Sequence, residues 1–178
     1  RSYDPDPTID KTQLEAAAQL INSAEKPFVL VGQGVELGDA QKELAAFIEK
    51  GDIPCGCTLL GLSAIPTDHP LNKGMLGMHG NLATNIKTNE CDVLIAVGMR
   101  FDDRVTGRLD TYAKQAKVIH LDIDPSEISK NVKADIPILG NCKKTLAQLT
   151  ALIANKKHSQ WIESFDEYAQ KEYEQVIE

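Results

Sequence analysis

Short, continuously apolar runs alternate along this chain with stretches that repeat apolar residues at helical spacing. The runs lie at residues 27–31, 53–58, 93–97, 118–123 and 136–139. A strand that is apolar on both faces is typical of a parallel sheet covered by helices on each side. Because strand-like and helix-like segments alternate, we predict successive β-loop-α units around one sheet.

Capping residues and apolar spacing mark the helices between these runs. Thr12 and Glu15 form a capping-box pair before a first helix, and a second helix is predicted from about Gly38. Residues 124–127, Asp-Pro-Ser-Glu, predict the start of another helix, and apolar residues from Leu146 onward predict the last core helix. The expected fold is α/β, a Rossmann-like three-layer sandwich with a mostly parallel open sheet of about six strands.

Length and composition fit one compact domain with short flanking segments. The chain has 178 residues, of which 42% are hydrophobic, and this is enough to form one core. We expect a linker at residues 1–9, the α/β domain at residues 10–157, and a helical tail or linker to a further domain at residues 158–178.

Charge and cysteine content argue against several classes of partner. A formal net charge of −7 disfavours nucleic acid or an anionic membrane surface, and no apolar run is long enough to span a membrane. The four cysteines, at positions 55, 57, 91 and 142, form no CxxC pair, so buried thiols are favoured over a disulfide framework or a zinc site. These features predict a cytoplasmic or organelle-matrix location.

The segment GMRFDDRVTG, residues 98–107, follows directly after the apolar run at 93–97. Loops at the carboxyl ends of parallel strands are where open α/β folds bind ligands. The two arginines and two aspartates of this segment either form surface ion pairs or bind a charged ligand. We favour binding of a charged ligand over surface ion pairs. Four charged side chains that follow directly after a buried strand are suited to bind a pyrophosphate and a sugar.

Two further polar features follow strand-like runs. Gly32 and Gly34 follow the first run. An NAD-binding loop has a third glycine three residues after the second, and an acidic residue at the end of the second strand. Both are absent here, which disfavours ordinary NAD binding. These glycines fit a tight structural turn and a close approach to a ligand equally well. Asp122 ends a later run, where a ribose-binding role is favoured over helix capping, because Asp124 is already placed to cap.

The stretch at residues 61–80 is rich in Gly, Pro and Asn and is too long for a simple connection. Within it, Met75, Leu76 and Met78 either line a flat aromatic ligand or fill gaps in the core, and the sequence leaves both open. His79 is favoured as a structural residue over a catalytic base, because no nucleophile or carboxylate stands beside it.

Three of these segments together resemble one family. Residues 74–80, residues 100–107 and the string HLDIDP at 120–125 are similar to the central domain of the acetolactate synthase (acetohydroxyacid synthase) large catalytic subunit. The similarity runs over about residues 10–155, and RFDDRVTG is far more specific than a glycine loop.

The resemblance implies the middle domain of a three-domain thiamine diphosphate enzyme of branched-chain amino-acid synthesis. Such an enzyme joins two pyruvates, or pyruvate and 2-oxobutyrate, to a 2-acetohydroxy acid with release of CO2. The central domain is expected to hold FAD without net redox chemistry, whereas flanking domains hold thiamine diphosphate and Mg²⁺. The implied partners are those flanking domains, further copies in a homo-oligomer, and a regulatory small subunit.

By position, the resemblance assigns FAD contacts to several loops. They are Gly32, Gly34, Thr58, Leu59, Leu76, Gly77, Met78, His79, Gly98, Arg100, Asp102, Arg104, Val105, Asp122 and Ile123. Met78, Asp103 and Arg104 also border the implied channel to the thiamine, where Arg104 is placed to attract an oxo-acid carboxylate. The chain departs from the common family pattern at Gln33 and Asn141, near the phosphate turn and the adenine end.

No catalytic residue and no metal ligand is assigned within this chain. Gly38-Asp39 and Gly51-Asp52 both lack the second glycine of a Gly-Asp-Gly diphosphate motif. We therefore expect the isolated chain to make no acetolactate. Two other interpretations remain: an FAD-free structural spacer of another thiamine diphosphate 2-oxo acid decarboxylase, or a noncatalytic nucleotide-binding module of an electron-transfer flavoprotein.

Overall fold

The computed structural model describes residue 4 and residues 6–177. The strands are β1 Pro27–Val31, β2 Cys55–Cys57, β3 Asn72–Met75, β4 Val93–Val97, β5 Lys117–Asp122 and β6 Ile136–Leu139. They form one six-stranded sheet in the order β3-β2-β1-β4-β5-β6, and every neighbouring pair is parallel. The predicted α/β fold with an open parallel sheet is confirmed.

Helices connect and cover the strands. They are α1 Lys11–Ser23, α2 Gly34–Leu37, α3 Gln41–Gly51, α4 Leu82–Thr88, α5 Asp103–Thr106, α6 Cys142–Leu152 and α7 Ser159–Glu172. A 3₁₀ helix, Leu59–Ala64, follows β2, and a π-helical turn, Tyr173–Ile177, follows α7. None of the helices described here is both long enough and apolar enough to cross a membrane.

The sheet is buried on both faces because side chains alternate along each central strand. Val29 and Val31 of β1 belong to a first core cluster shared with α1, α3 and α6, whereas Phe28 and Leu30 belong to a second core cluster under α4 and α7. All five residues of β1 and all five of β4 are buried, which explains why these strands read as unbroken apolar runs.

The order of the strands creates a switch point between β1 and β4. From β1 the chain adds β2 and β3 on one side, then crosses to add β4, β5 and β6 on the other. At such a point the loops leaving the carboxyl ends of the two strands diverge, which opens a crevice where α/β folds bind ligands.

The first helix begins two residues earlier than its capping pattern predicts. Asp10 is the N-cap of α1, because its Oδ1 accepts hydrogen bonds from the backbone N–H of Thr12 at 2.8 Å and of Gln13 at 3.4 Å. Thr12 therefore lies inside the helix. An aspartate side chain caps as well as a threonine, so two candidates two residues apart compete and the earlier one is used.

Strand β3 was not predicted, and it lies inside the stretch interpreted as a long loop. Its residues Asn72–Met75 are half-buried at the edge of the sheet, and its pairing with β2 is irregular. Gly74 adopts φ 107°, and a Cβ there would lie 2.1 Å from Asn81 Oδ1. An edge strand that is polar and contains a glycine lacks the apolar alternation by which strands are recognised.

The helix predicted from Asp124 does not form. Residues 125–129 are turns, and Asp124 Oδ1 accepts hydrogen bonds from the N–H and the hydroxyl of Ser126 at 2.8 and 2.7 Å. Ser129 then adopts φ 59°, which no α-helix tolerates. An aspartate followed by proline and serine starts a turn as readily as a helix, and here too few apolar residues follow to bury a helical face.

Helix α7, within the predicted tail at residues 158–178, packs on the domain itself. Trp161 Nε1 donates a hydrogen bond to Pro27 O at 2.8 Å, and the Phe165 ring lies 5.2 Å from that of Phe28. Lys87 Nζ lies 5.2 Å from the Trp161 ring and 4.9 Å from that of Tyr168. These contacts make α7 part of the second core cluster, while its role as a connection to a further domain stays a prediction.

We predict that Phe165→Ala lowers the free energy of unfolding by about 3–5 kcal/mol, because a fully buried ring leaves a cavity in the second core cluster. Val176→Ala, in the same C-terminal segment, is the control, since Val176 is 76% exposed and its loss should change stability by less than about 0.5 kcal/mol. Urea denaturation followed by circular dichroism measures both. Equal stability of the two variants would show that α7 does not pack as described.

The four cysteines are free and buried, which confirms the interpretation as thiols in the core. Burial, with a smaller contribution from Asp92, raises the pKa of Cys91 to about 12, and burial with Asp122 nearby does the same for Cys142. The neighbouring Cys57 thiol and then burial raise the pKa of Cys55, whereas the Cys55 thiol lowers the pKa of Cys57. Cys57 is kept from reagents by its burial. The thiolate is the reactive form, so a raised pKa leaves almost none of it near neutral pH.

We expect the native protein to react very slowly with a disulfide reagent such as dithiobis-nitrobenzoate at about pH 8, and to expose all four thiols in urea. The absorbance of the released thionitrobenzoate counts the reacted groups. Rapid native labelling that peptide mapping assigns to Cys91 would contradict the burial described for that thiol.

Candidate functional site

A groove of about 710 Å³ opens at the carboxyl edge of the sheet. Its base lies at the switch point, because Gly32 and Gly34 after β1 and residues 98–102 after β4 all line it. The segments after β2 and β5, the residues around Met78 and the start of α6 form its walls. Its volume lies within the ~300–1,000 Å³ that small-molecule sites occupy.

The two glycine loops meet backbone to backbone. Gly34 N donates to Gly98 O and Gly32 N donates to Val97 O, each at 2.9 Å. A Cβ on Gly32 would lie 2.2 Å from Gly98 O, and one on Gly34 would lie 2.6 Å from Gly98 Cα. Only glycine permits this approach. Of the two interpretations left open for these glycines, the tight structural turn is present, since both N–H groups are bonded to the carbonyls of Val97 and Gly98. Both glycines also line the groove, so a close approach to a ligand stays a prediction.

The groove contains nearly all the residues to which the family resemblance assigned FAD contacts. Those that line it are Gly32, Gly34, Thr58, Leu59, Leu76, Met78, His79, Gly98, Arg100, Asp102, Arg104, Val105, Asp122 and Ile123. Gly77 and Asp103 instead line an adjoining slot of about 300 Å³, which shares Met78 and Arg104 with the groove.

Gly77 allows the loop that carries Met78 to lie close to the loop that carries Arg104. It adopts φ 95°, and a Cβ there would lie 2.4 Å from Arg104 O. The next residue, Met78, donates its backbone N–H to the same Arg104 carbonyl at 2.8 Å. Asn85 closes the turn, because its side chain both accepts from Gly77 N and donates to Gly77 O at 2.9 Å. The loop carrying Met78 is thereby held against the loop carrying Arg104.

Arg100 presents a cation to the groove. Its side chain is 67% exposed, and its Nη2 lies 3.6 Å from Asp102 Oδ2, which is longer than a hydrogen bond. Asp102 Oδ1 accepts from Val105 N at 3.3 Å and so caps α5. An exposed ion pair of this kind contributes less than about 1 kcal/mol, so it competes weakly with an anionic ligand for the guanidinium.

Asp122 presents a carboxylate to the same groove. Its side chain is 10% exposed, its Oδ1 accepts from Asp124 N at 2.9 Å, and its Oδ2 lies 3.6 Å from His120 Nε2. The carboxylate is therefore oriented by β5 and the following turn, while one oxygen keeps lone pairs for a ligand hydroxyl. Arg100 and Asp122, which lie on different strand ends, are brought to one groove.

The loop carrying Arg100 contains a strained residue. Phe101 adopts φ 51°, in the left-handed region, which costs about 1–3 kcal/mol for a bulky side chain. Its ring is buried and meets the rings of Tyr112 and His120 edge-on, with centroids 6.1 and 5.1 Å away. Asn131 Nδ2 donates to Phe101 O at 2.9 Å. Packing and this hydrogen bond hold the strained conformation in place.

The apolar residues of the 75–78 segment divide between the core and the groove. Leu76 is buried in the second core cluster, whereas Met78 is 67% exposed at the groove. Leu37 and Leu59, also on the groove wall, are 77% and 69% exposed. Large apolar side chains exposed together beside a groove fit a flat apolar ring, so the ligand interpretation suits Met78 and the core interpretation suits Leu76.

Several groove residues were not assigned from the sequence. They are Leu37, Gly38, Leu60, Met75, Met99, Phe101, Asp124, Glu127 and Cys142. Hydrogen bonds from Ser126 lower the pKa of the Asp124 carboxyl, which therefore stays ionised. Position directly after a strand is a signal that could have identified Met99 and Phe101. Leu37, Gly38, Leu60 and Cys142 reach the groove only through the packing of α2, α6 and the 3₁₀ helix. Met75 is the last residue of β3, and Asp124 and Glu127 lie in the segment after β5.

The two departures from the family pattern also lie on the groove. Gln33 is exposed in the turn after β1, and Asn141 caps α6 by accepting from Lys143 N at 2.9 Å. Asn141 thus does the capping that an aspartate would do at the same place. Within residues 4 and 6–177, no group of three or more His, Cys, Asp or Glu side chains is arranged to hold a metal ion.

Two known proteins that are similar to this chain are both named as large subunits of acetolactate synthase. The chain is 49% identical over 164 residues to "Probable acetolactate synthase large subunit" of Methanocaldococcus jannaschii, covering 90% of this chain and 28% of that protein. It is 40% identical over 171 residues to acetolactate synthase isozyme 3 large subunit of Escherichia coli K12, covering 96% and 30%. The chain thus spans less than a third of the length of these relatives.

A crystal structure from Mycobacterium smegmatis, described as a thiamin diphosphate-dependent enzyme, has a similar fold. The TM-score is 0.72 at 26% identity, covering 87% of this chain and 30% of that one. A family model described as "Thiamine pyrophosphate enzyme, central domain" matches residues 14–149. This range includes all six strands and all the residues that line the groove. The chain therefore belongs to the thiamine pyrophosphate enzyme family and is a central domain of that family.

Proposed function

We propose that this chain is the central domain of an acetolactate synthase large subunit and that its groove binds FAD. The observation that carries the proposal is the meeting of Arg100, Asp122 and Met78 on one groove at the β1–β4 switch point. A cation, a carboxylate and an exposed apolar surface are what a pyrophosphate, a ribose and a flat ring require. Relatives named acetolactate synthase support the choice of enzyme.

Each part of the groove has a role toward FAD in this proposal. The guanidinium groups of Arg100 and Arg104 bind the pyrophosphate, and Asp122 Oδ2 accepts from ribose hydroxyls. Met78, Leu59 and Val105 cover the ring system, and the Gly32–Gly34 turn lets the cofactor lie close to the backbone. When bound, FAD supplies a redox-capable ring, although the proposed reaction needs no net redox change.

For the whole protein, we propose condensation of two 2-oxo acids with loss of CO2. Thiamine diphosphate and Mg²⁺ would be held by other domains, in a homo-oligomer that also takes a regulatory small subunit and is located in the cytoplasm. In this chain Met78, Asp103 and Arg104 would border the path to the thiamine, because they line the slot beside the groove. Arg104 is exposed there and is placed to attract a substrate carboxylate.

We predict that the purified chain quenches flavin fluorescence on titration with FAD and that Arg100→Ala weakens binding about 10- to 100-fold. Loss of a charge-assisted hydrogen bond of about 1.5–3 kcal/mol gives this range. Arg108→Ala is the matched control, since Arg108 is exposed, pairs with Asp110 and lies outside the groove. Its affinity for FAD should equal that of the wild type.

Three outcomes of that titration would count against the proposal. Absence of FAD binding by the wild type would indicate a structural spacer. Equal affinity of Arg100→Ala and Arg108→Ala would remove Arg100 from the site. A bound flavin that exchanges electrons with an added protein electron donor would favour an electron-transfer module.

We also expect the 178-residue chain by itself to form no acetolactate from pyruvate when thiamine diphosphate and Mg²⁺ are added. The physical reason is that the sequence contains no Gly-Asp-Gly diphosphate motif and that the described residues hold no group of side chains arranged for a metal ion. The chain also spans less than a third of the length of its relatives. A colorimetric assay for acetoin after acid decarboxylation detects the product. Turnover above that of a protein-free blank would refute this expectation.

A further inference from the structure

A wholly buried histidine lies directly beneath the groove. His120 is on β5, has no exposed surface, and is two residues before Asp122 on the same face of the strand. Its Nε2 lies 2.8 Å from Met99 O, a hydrogen-bond distance, and 3.6 Å from Asp122 Oδ2. A carbonyl oxygen only accepts, so Nε2 carries the hydrogen and donates a hydrogen bond to Met99 O.

This hydrogen bond anchors the loop that carries Arg100. Met99 O is bonded by His120 and Phe101 O is bonded by Asn131, so the carbonyls on both sides of Arg100 are held. The Phe101 ring packs edge-on against the His120 ring and keeps the strained backbone of Phe101 in the left-handed region. Arg100 is therefore presented on a loop whose backbone is fixed from below.

The other nitrogen of His120 has no partner in the described part of the chain. Nδ1 is buried and makes no hydrogen bond there. An unpaired lone pair in the interior is unfavourable, and an apolar side chain of similar size would avoid it. The hydrogen bond from Nε2 to Met99 O is therefore the contact that accounts for an imidazole at this position.

We propose that His120 is a positioning residue for FAD, acting through its hydrogen bond to Met99 O on the loop that carries Arg100. Because His120 and Asp122 both lie on β5, this bond fixes the loop with the cation for the pyrophosphate relative to the strand that carries the carboxylate for the ribose. The inference rests on the proposed function, since it assumes that the groove takes FAD. His120 itself is buried beneath the groove and touches no ligand.

Three substitutions separate this role from packing. His120→Gln keeps an N–H near the position of Nε2, so we expect FAD affinity within about threefold of the wild type. His120→Met fills similar space without a donor, and His120→Asn keeps a polar group that is too short to reach Met99 O. Both should weaken FAD binding by about tenfold or more. His69→Gln is the control, because His69 pairs with Glu49 away from the groove and should leave the affinity unchanged.

The measurements are the FAD dissociation constant by flavin fluorescence, taken well below each variant's melting temperature, and the melting temperature itself. FAD affinity that is kept in His120→Gln and lost in both His120→Met and His120→Asn supports positioning. If His120 had a merely structural role, FAD affinity would change in parallel with the melting temperature, whether or not the side chain has a hydrogen-bond donor. Equal FAD affinity of the Gln and Met variants would overturn the inference. A wild-type chain that binds no FAD would instead refute the proposed function, so the two failures are distinguishable.

Discussion

The backbone contact between the Gly32–Gly34 turn and Gly98 is the constraint on which the site depends. It joins the loops that leave β1 and β4, the two strands on either side of the switch point, through hydrogen bonds of 2.9 Å that no Cβ would allow. Gly98 adopts φ 59° at the contact, which turns the chain toward Arg100. The two loops touch at glycines, which have no side chains. The side chains of the neighbouring residues in these loops therefore lie around the contact and line the groove.

The scaffold below this contact is rigid for a separate reason. β1, β4 and β5 carry apolar side chains on both faces, and each face is covered by its own core cluster. Helix α7 completes the second cluster, with Trp161 bonded to Pro27 O at the start of β1. Loops that present functional side chains gain their precision from such a support. The strained Phe101 persists because its ring is locked into this packing.

Prediction from the sequence succeeded where one physical signal dominated. β1 and β4 are apolar on both faces, so their predicted and observed bounds agree. β3 has no such signal, because an edge strand is half solvated and its glycine is required by a neighbouring asparagine. The helix expected from Asp124 failed since a local side-chain bond to Ser126 stabilises a turn instead.

The sequence by itself determined the α/β class, the buried central strands and the loops that carry polar residues, since local spacing and apolar runs report burial directly. Its resemblance to a family also indicated most of the residues that line the groove. Only the tertiary structure decided that Gly77 and Asp103 lie in the slot, that α7 belongs to the core, and that His120 is bonded to Met99. These facts depend on contacts between segments distant in the chain, and local sequence carries no information on which distant backbone will approach.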